Sequence, residues 1–279
     1  ALSPDNLRVA VAGWEQSNED IWIHDADRKT RLTRDPARDW MPVWTPDGKQ
    51  IAFTTNRIGS TGGWDLLRVS LDAGDPPVPF LNTPLVEAAA DYSQDGKYLI
   101  YYTSGGNPET KRDIWYLPLN ESQTPTLLLH GPYNEIMPKI SPDGRYLAYS
   151  SDETGAWEIY VVRFPDGDGK KQVSVNGGIT PSWSGRGNEL FYVNGNALMS
   201  VRVETTPNIR LENPRALFTT EQTGVDLGGF RGSLPNIPMY DVSQDGQRFV
   251  MVRPTGNESG EGRAVLTVVQ NWIREFEED

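Results

Sequence analysis

Three carboxylates carry most of the chemistry this chain could do. Asp39, Glu87 and Glu135 each stand six residues before a copy of one recurring phrase. A fold that sets the copies side by side therefore brings the acids to equivalent places. Carboxylates that converge can hold a hard cation, which takes several oxygen ligands, or attract a basic partner segment. They can also serve as a glycosidase pair if they face each other across a cleft about 5 to 10 Å wide. The same pattern results if each acid only accepts hydrogen bonds from amides of its own repeat. Gly178 and Ile237 hold the corresponding places in later copies. Trp14, Trp40, Arg57, Trp64, Tyr133 and Trp157 fall on the same rim, joined by Phe230 and Arg231 from a long loop. Aromatic residues and Arg are over-represented at binding hot spots. Trp64 and Trp157 directly precede acids that open strands and read as packing, whereas Trp40 and Phe230 read as the exposed pair.

Other chemistries find little support. His24 and His130 lie in different repeats without metal-ligand spacing, and a Ser-His-Asp site needs a His base with a Ser beside it. There is no G-x-S-x-G elbow. With no cysteine in the chain, disulfides, thiol catalysis and Cys-based metal sites are absent together. The Asp-Gly pairs lack the D-x-D-x-D-G spacing of a calcium loop and read as turns.

The recurring phrase is Ser-Pro-Asp-Gly followed by an alternating apolar run. It stands as S-P-D-N-L-R-V-A-V from Ser3, T-P-D-G-K-Q-I-A-F from Thr45 and S-Q-D-G-K-Y-L-I-Y from Ser93. The others are S-P-D-G-R-Y-L-A-Y from Ser141, S-G-R-G-N-E-L-F-Y from Ser184 and S-Q-D-G-Q-R-F-V-M from Ser243. Steps of 42, 48, 48, 43 and 59 residues separate them, the range of stacked or radial repeats. Within the second period, an apolar run at 42–44 meets the turn 46–48, in which Pro presets φ and Gly accepts a positive φ. Residues 50–54 alternate as a strand, 57–63 form a Gly-rich loop, and 64–71 and 78–81 supply two further strands. Short strands in fours, with Trp spread among the units, mark a propeller blade.

The spacing predicts an all-β chain, a six-bladed β-propeller of four-stranded antiparallel blades forming one domain over 1–279. The blades fall near 1–36, 37–84, 85–132, 133–175, 176–221 and 236–279, with a long loop at 222–235. Residues 264–270 are expected as the third strand of the last blade and 271–276 as its fourth. Helical character is expected only at 273–278. Ala1-Leu2 alone precede the first phrase, so the innermost strand of the first blade is expected from them or from upstream chain. The chain opens without Met and reads as processed or cut from a longer protein.

Asp39 to Phe53, D-W-M-P-V-W-T-P-D-G-K-Q-I-A-F, resembles the TolB-type, WD-repeat-like propeller repeat, and E-I-M-P-K-I-S-P-D-G-R-Y-L-A-Y from Glu135 is similar to it. The fifth copy departs with Gly185-Arg186, and the sixth with Gln244. The closing stretch, from N-G-N-A-L at Asn194 to V-V-Q-N-W at Val268, resembles propellers at the C-terminus of bacterial proteins, including receptor-like serine/threonine kinases. The resemblance implies an extracytoplasmic or periplasmic sensor or scaffold module within a larger membrane-anchored chain, and brings no catalytic residue with it.

A net charge of −12 opposes nucleic-acid binding, since no basic stripe offsets it. No apolar run approaches the roughly 18 residues needed to span a bilayer, so no direct membrane insertion is expected. The sequence points to a non-enzymatic module binding a protein segment, peptide or glycan at the central channel mouth, through Asp39, Trp40, Arg57, Glu87, Tyr133, Glu135, Phe230 and Arg231. No cofactor is expected, calcium being the one candidate ion. The alternative is a propeller hydrolase, glycosidase- or lactonase-like, using the mouth carboxylates with or without calcium.

Overall fold

The computed structural model describes residues 1–15, 18–57, 63–71, 74–104, 109–121, 123–225, 227, 230–231, 234–235, 239–255 and 263–270. They form a succession of small antiparallel sheets. The first holds β1 (Val9–Glu15), β2 (Asn18–His24) and β3 (Lys29–Arg31). The second holds β4 (Asp39–Trp44), β5 (Gln50–Thr55), β6 (Asp65–Ser70) and β7 (Val78–Leu81). The third holds β8 (Val86–Tyr92), β9 (Tyr98–Ser104), β10 (Arg112–Pro118) and β11 (Thr126–Leu129). β12 (Glu135–Ile140), β13 (Tyr146–Ser151), β14 (Glu158–Arg163) and β15 (Lys171–Gln172) make the fourth. In the fifth, β16 (Ile179–Trp183), β17 (Glu189–Asn194) and β18 (Ala197–Glu204) run in order, and both β19 (Arg210–Leu211) and β20 (Arg215–Thr219) pair with β18. After the short helix α1 (Thr220–Thr223) comes a ribbon of β21 (Phe230–Arg231) and β22 (Leu234–Pro235). The last sheet holds β23 (Tyr240–Val242), β24 (Arg248–Thr255) and β25 (Arg263–Gln270).

The chain is an all-β propeller, but its blade count departs from expectation. Leu2 bridges Val9 and gives the first sheet a short inner member. Five sheets thus reach four members or more, while the last has three described strands. Six complete four-stranded blades are therefore corrected to five, because the fourth place of the last sheet, expected at 271–276, lies outside the described residues. The helical turn expected at 273–278 lies outside them too. Helix appears instead at 220–223, on a capping box between Thr219 and Gln222 and a left-handed Gly224 cap. The loop expected at 222–235 accordingly begins in helix and contains β21 and β22.

The phrase is a turn device. In the second copy the Gly48 amide donates to the Thr45 carbonyl at 2.9 Å, and Gly48 takes a φ of 67°. The Asp47 carboxylate accepts the Lys49 amide at 3.0 Å, and the Thr45 hydroxyl accepts the Gln50 amide at 3.0 Å. These bonds recur at Ser3, Ser93, Ser141 and Ser243 with Asp5, Asp95, Asp143 and Asp245. The fifth copy has no Asp, and Ser184 bonds Asn188 instead at 3.1 Å. Beyond five of the six turns the ninth phrase residue is driven between sheets: Phe53, Tyr101, Tyr149, Tyr192 and Met251 are all at most 2% exposed, while Val11 of the first copy is half-buried. Burying such a side chain stabilises the fold by about 1.5–3 kcal/mol.

The inner strands β4, β8, β12 and β16 each carry a register shift. In three of them the shift contains a residue of positive φ followed by proline: Met41-Pro42, Met137-Pro138 and Thr180-Pro181. A bulge leaves a residue outside the ladder, so proline there forfeits no sheet hydrogen bond. At the hub, neighbouring sheets are stitched by repeated bonds. The Ile140 amide donates to Asp91 at 2.9 Å, and the Leu2 amide donates to Asp241 at 2.6 Å in the same way. The Trp44 and Trp183 indoles donate to the carbonyls of Ala1 and Lys139 at 3.1 and 3.0 Å. The Leu2–Asp241 bond ties the last sheet to the first residues of the chain.

Candidate functional site

Asp39, Glu87 and Glu135 stand at the starts of β4, β8 and β12, inner strands whose apolar residues Met41, Ala88 and Ile136 share one core cluster. All three acids are buried, at 0%, 0% and 6% exposure. Asp39 and Glu87 are engaged locally by hydrogen bonds. Asp39 accepts the Thr55 hydroxyl at 2.6 Å and both edges of the Arg57 guanidinium. Burial lifts its carboxyl above the usual range, and Thr55 and Arg57 pull the other way. Glu87 accepts the Thr83 hydroxyl, and the carboxyl of Asp65 lies within hydrogen-bonding reach. Burial chiefly, and the charge of Asp65 in part, push Glu87 up to about 7. Glu135 is pushed up to about 8 by burial and then by Asp113, Glu153 and Asp152.

The facing acids have a simple origin. Asp20, Asp65, Asp113 and Glu158 stand at or near the starts of the third strands, and across the seams Asp65 meets Glu87, Asp113 meets Glu135 and Glu158 meets Gly177. At the fourth seam Glu158 accepts the Ser174 hydroxyl and the Gly177 amide, the latter at 2.9 Å. A Cβ on Gly178 would lie 2.4 Å from the Ser174 hydroxyl and 2.9 Å from Ile159. Glycine replaces the expected acid there because Ser174 and Ile159 occupy its space.

Around the first two sheets, Trp40 and Trp64 pack with ring centroids 5.2 Å apart, and the Trp40 indole nitrogen is buried without a partner. Trp40 is thus half-buried packing, not an exposed anchor. Trp14 is the exposed one, at 60%, with the Arg38 guanidinium 4.9 Å over its ring. Arg38 is held by Glu19 at 2.7 Å and reaches Trp64 at 5.7 Å. Trp157 is buried. Tyr133, beside Glu135 in the link between the third and fourth sheets, is 40% exposed. Phe230 and Arg231 pair within β21 and β22, and their side chains lie outside the described part, as does Ile237.

A cavity of about 200 Å³ opens at the other ends of the inner strands, about 15 Å along β4 from Asp39 at the usual strand rise. Every copy of the phrase contributes the residue two places before it: Ala1, Val43, Asp91, Lys139, Ser182 and Asp241. Trp44, Tyr92 and Trp183, one place before their phrases, also line it. The Lys139 ammonium donates to the Ala90 carbonyl at 2.8 Å and stands 3.9 Å from Asp91. Burial raises the Asp91 carboxyl, with Lys139 opposing. These hub charges escape a reading centred on the mouth, yet they carry a signal, namely a charged residue at one fixed offset inside an apolar strand.

Among the described residues no group of three or more His, Cys, Asp or Glu is arranged to hold a metal ion. No helix among the described residues is long and apolar enough to cross a membrane. The arrangement offers hydrogen bonding, charge and aromatic surface more than an open reacting centre.

No family model and no curated protein matches the chain. Solved structures do. TolB from Acinetobacter baumannii is similar with a TM-score of 0.71 at 18% identity, over 96% of this chain and 62% of that one. The chain therefore spans less than two thirds of that protein. Oligogalacturonate lyase from Vibrio parahaemolyticus is similar at 0.59 and 12% identity, over 98% of this chain and 74% of that one. A chain of the nidogen/laminin complex is similar at 0.57 and 11% identity, over 96% and 89%. At these identities the likeness establishes the TolB-like propeller fold.

Proposed function

We propose that the protein is a non-enzymatic binding module that takes a protein segment at the mouth of its propeller. The observation that carries this is the division of labour at the rim. Its acids are buried and engaged with neighbours, while the groups that face solvent are aromatic: Tyr133 at 40% and Trp14 at 60% exposure. Buried acids cannot touch a substrate, but they set a negative field that favours a basic segment. In this reading the exposed Tyr133, with Phe230 and Arg231, makes the contacts, Trp40 packs on Trp64 and Arg57 holds Asp39 behind them, and Glu87 and Glu135 supply the field. Similarity to a chain of the nidogen/laminin complex is in keeping with a protein ligand. The resemblance of the closing stretch to C-terminal propellers of bacterial receptor-like kinases suggests an extracytoplasmic module of a larger anchored chain, with no cofactor required.

One observation favours the hydrolase alternative, since a carboxyl held near neutrality, as at Glu87 and Glu135, suits a general acid. Their burial argues against it. A displayed library of basic and neutral peptides selected on the immobilised protein separates the two. Selected peptides should weaken by about tenfold or more on Tyr133→Ala, as a hot-spot aromatic does, with no turnover of oligogalacturonate, lactones or esters. Turnover that disappears in Glu135→Gln while peptide binding is absent would overturn the reading.

A further inference from the structure

The seam acids fall into two kinds. Between the first and second sheets two acids meet two cations, since Arg31 binds Asp20 and Arg57 binds Asp39. Between the fourth and fifth a single acid, Glu158, is satisfied by a hydroxyl and an amide. At the two seams in between, which flank the third sheet, the arrangement is different. Asp65 faces Glu87 and Asp113 faces Glu135, and no cation among the described residues is bonded to any of the four. One oxygen of each is buried without a hydrogen-bond partner: Asp65 Oδ2, Glu87 Oε2, Asp113 Oδ1 and Glu135 Oε2.

A carboxylate can only accept, whereas a carboxylic acid also donates one O–H, and two buried carboxylates side by side cannot both stay ionised. We infer that each of these two seams is closed by one proton shared between its two carboxyls, so that the third sheet is held to both neighbours by bonds that are lost as pH rises.

The surroundings of each pair agree. Glu87 faces Asp65 on β6, Tyr101 on β9 and the Thr83 hydroxyl. None of these is a cation. Glu135 faces Asp113 on β10, Asp152 and Glu153 after β13, and Tyr149 on β13, with Lys170 as the nearest opposing charge. Lys170 is already bound to both oxygens of Glu153 at 2.8 and 2.7 Å. Nearby Arg112 is turned to Asn134 at 3.2 Å, and Lys111 is paired with Asp152 at 3.8 Å. The elevated carboxyls of Glu87 and Glu135, at about 7 and about 8, fit a proton retained in the fold. Both are raised above the ordinary 4.5, so the folded chain binds more protons than the unfolded one from there upward. The seam contribution is complete at acid pH, declines as pH rises through 7 and 8, and is then gone.

Denaturant unfolding of the full chain from about pH 5 to about pH 9 tests this, with Glu87→Gln, Glu135→Gln and Asp65→Asn beside the unaltered protein. Glutamine keeps the shape and always donates, so each Gln variant should be more stable than the unaltered protein at alkaline pH. Each should also remove about a factor of ten per pH unit from the rise of the unfolding constant in the window. A Gln variant that is less stable at alkaline pH, or keeps the full pH slope, overturns the inference. Recovery of the unaltered protein at alkaline pH by added calcium overturns it too, because a metal would then bridge the pair. Should the variants not fold, carbon-13 titration of glutamate carboxyls in the unaltered protein decides. Two carboxyls that remain protonated near neutrality support the shared proton, and none that do refutes it.

Discussion

Asp39 shows how one residue type changes meaning with its neighbour. It is fully buried, yet the Arg57 fork and the Thr55 hydroxyl answer its charge. Removing one partner of a buried pair costs about 3–5 kcal/mol, because the other charge stays behind unpaired. Arg57→Met should therefore destabilise the protein by about 2–4 kcal/mol at neutral pH, the lower figure reflecting some access of water to Arg57. The loss should shrink as pH falls and Asp39 takes up a proton. Unfolding curves at neutral and acid pH measure both, and a cost no larger than that of an ordinary surface change would refute the pairing. The phrase aspartates act in the opposite sense from the seam glutamates. Hydrogen bonds and Lys97 hold Asp95 down to about 2, and Asp5, Asp47 and Asp245 are lowered by hydroxyl and amide bonds. Their contribution is present above the ordinary 3.8 and is lost as pH falls below it. With the seams weakening as pH rises toward 7 and 8, stability should peak in mildly acid solution. A peak well above neutrality would contradict the seam assignment, and no loss of stability below about 3.8 would contradict that of the aspartates.

At the scale of elements, what is local in sequence is legible and what is assembled across a seam is not. The turn and second strand of each repeat follow from the phrase itself, because Ser/Thr, Asp and Gly bond within six residues of one another. The strands β5, β6 and β7 lie close to the expected 50–54, 64–71 and 78–81 for the same reason. The roles of Asp39, Glu87 and Glu135 are not legible. One type at one offset proves to be an ion pair in one seam and a facing acid pair in the next two, depending on partners set by sheet packing. Gly178 is the clearest case. Its departure from the pattern has no meaning in sequence, and in space it makes room for Ser174 and Ile159. Gly178→Ala should thus force a shift in the seam and cost about 1–3 kcal/mol, as overpacking does. Pairing that change with Ser174→Ala, which removes the nearest obstructing atom, should recover part of the loss. Strict additivity of the two in denaturant unfolding would remove the steric account.

For the molecule as a whole the decisive question is how the ring closes. The phrase period makes a radial repeat legible, but the number of complete blades depends on chain ends, where no internal repeat supplies a pattern. Closure rests instead on a likeness between bonds. Asp241 accepts the Leu2 amide as Asp91 accepts the Ile140 amide, although the first pair is separated by 239 residues and the second by 49. If the ring is closed, the two bonds do equivalent work in the folded state. Asp91→Ala and Asp241→Ala should then each leave a part-buried amide unsatisfied and cost about 1–3 kcal/mol. They should differ in what they free, since Asp241→Ala releases the chain start from the last sheet while Asp91→Ala loosens the third sheet from the fourth. Hydrogen exchange resolves this, with faster exchange expected for the Leu2 and Ala10 amides in the first variant and for Ile140 in the second. An Asp241→Ala protein with unchanged stability and unchanged exchange at Leu2 would mean that the first and last sheets are not joined through this contact.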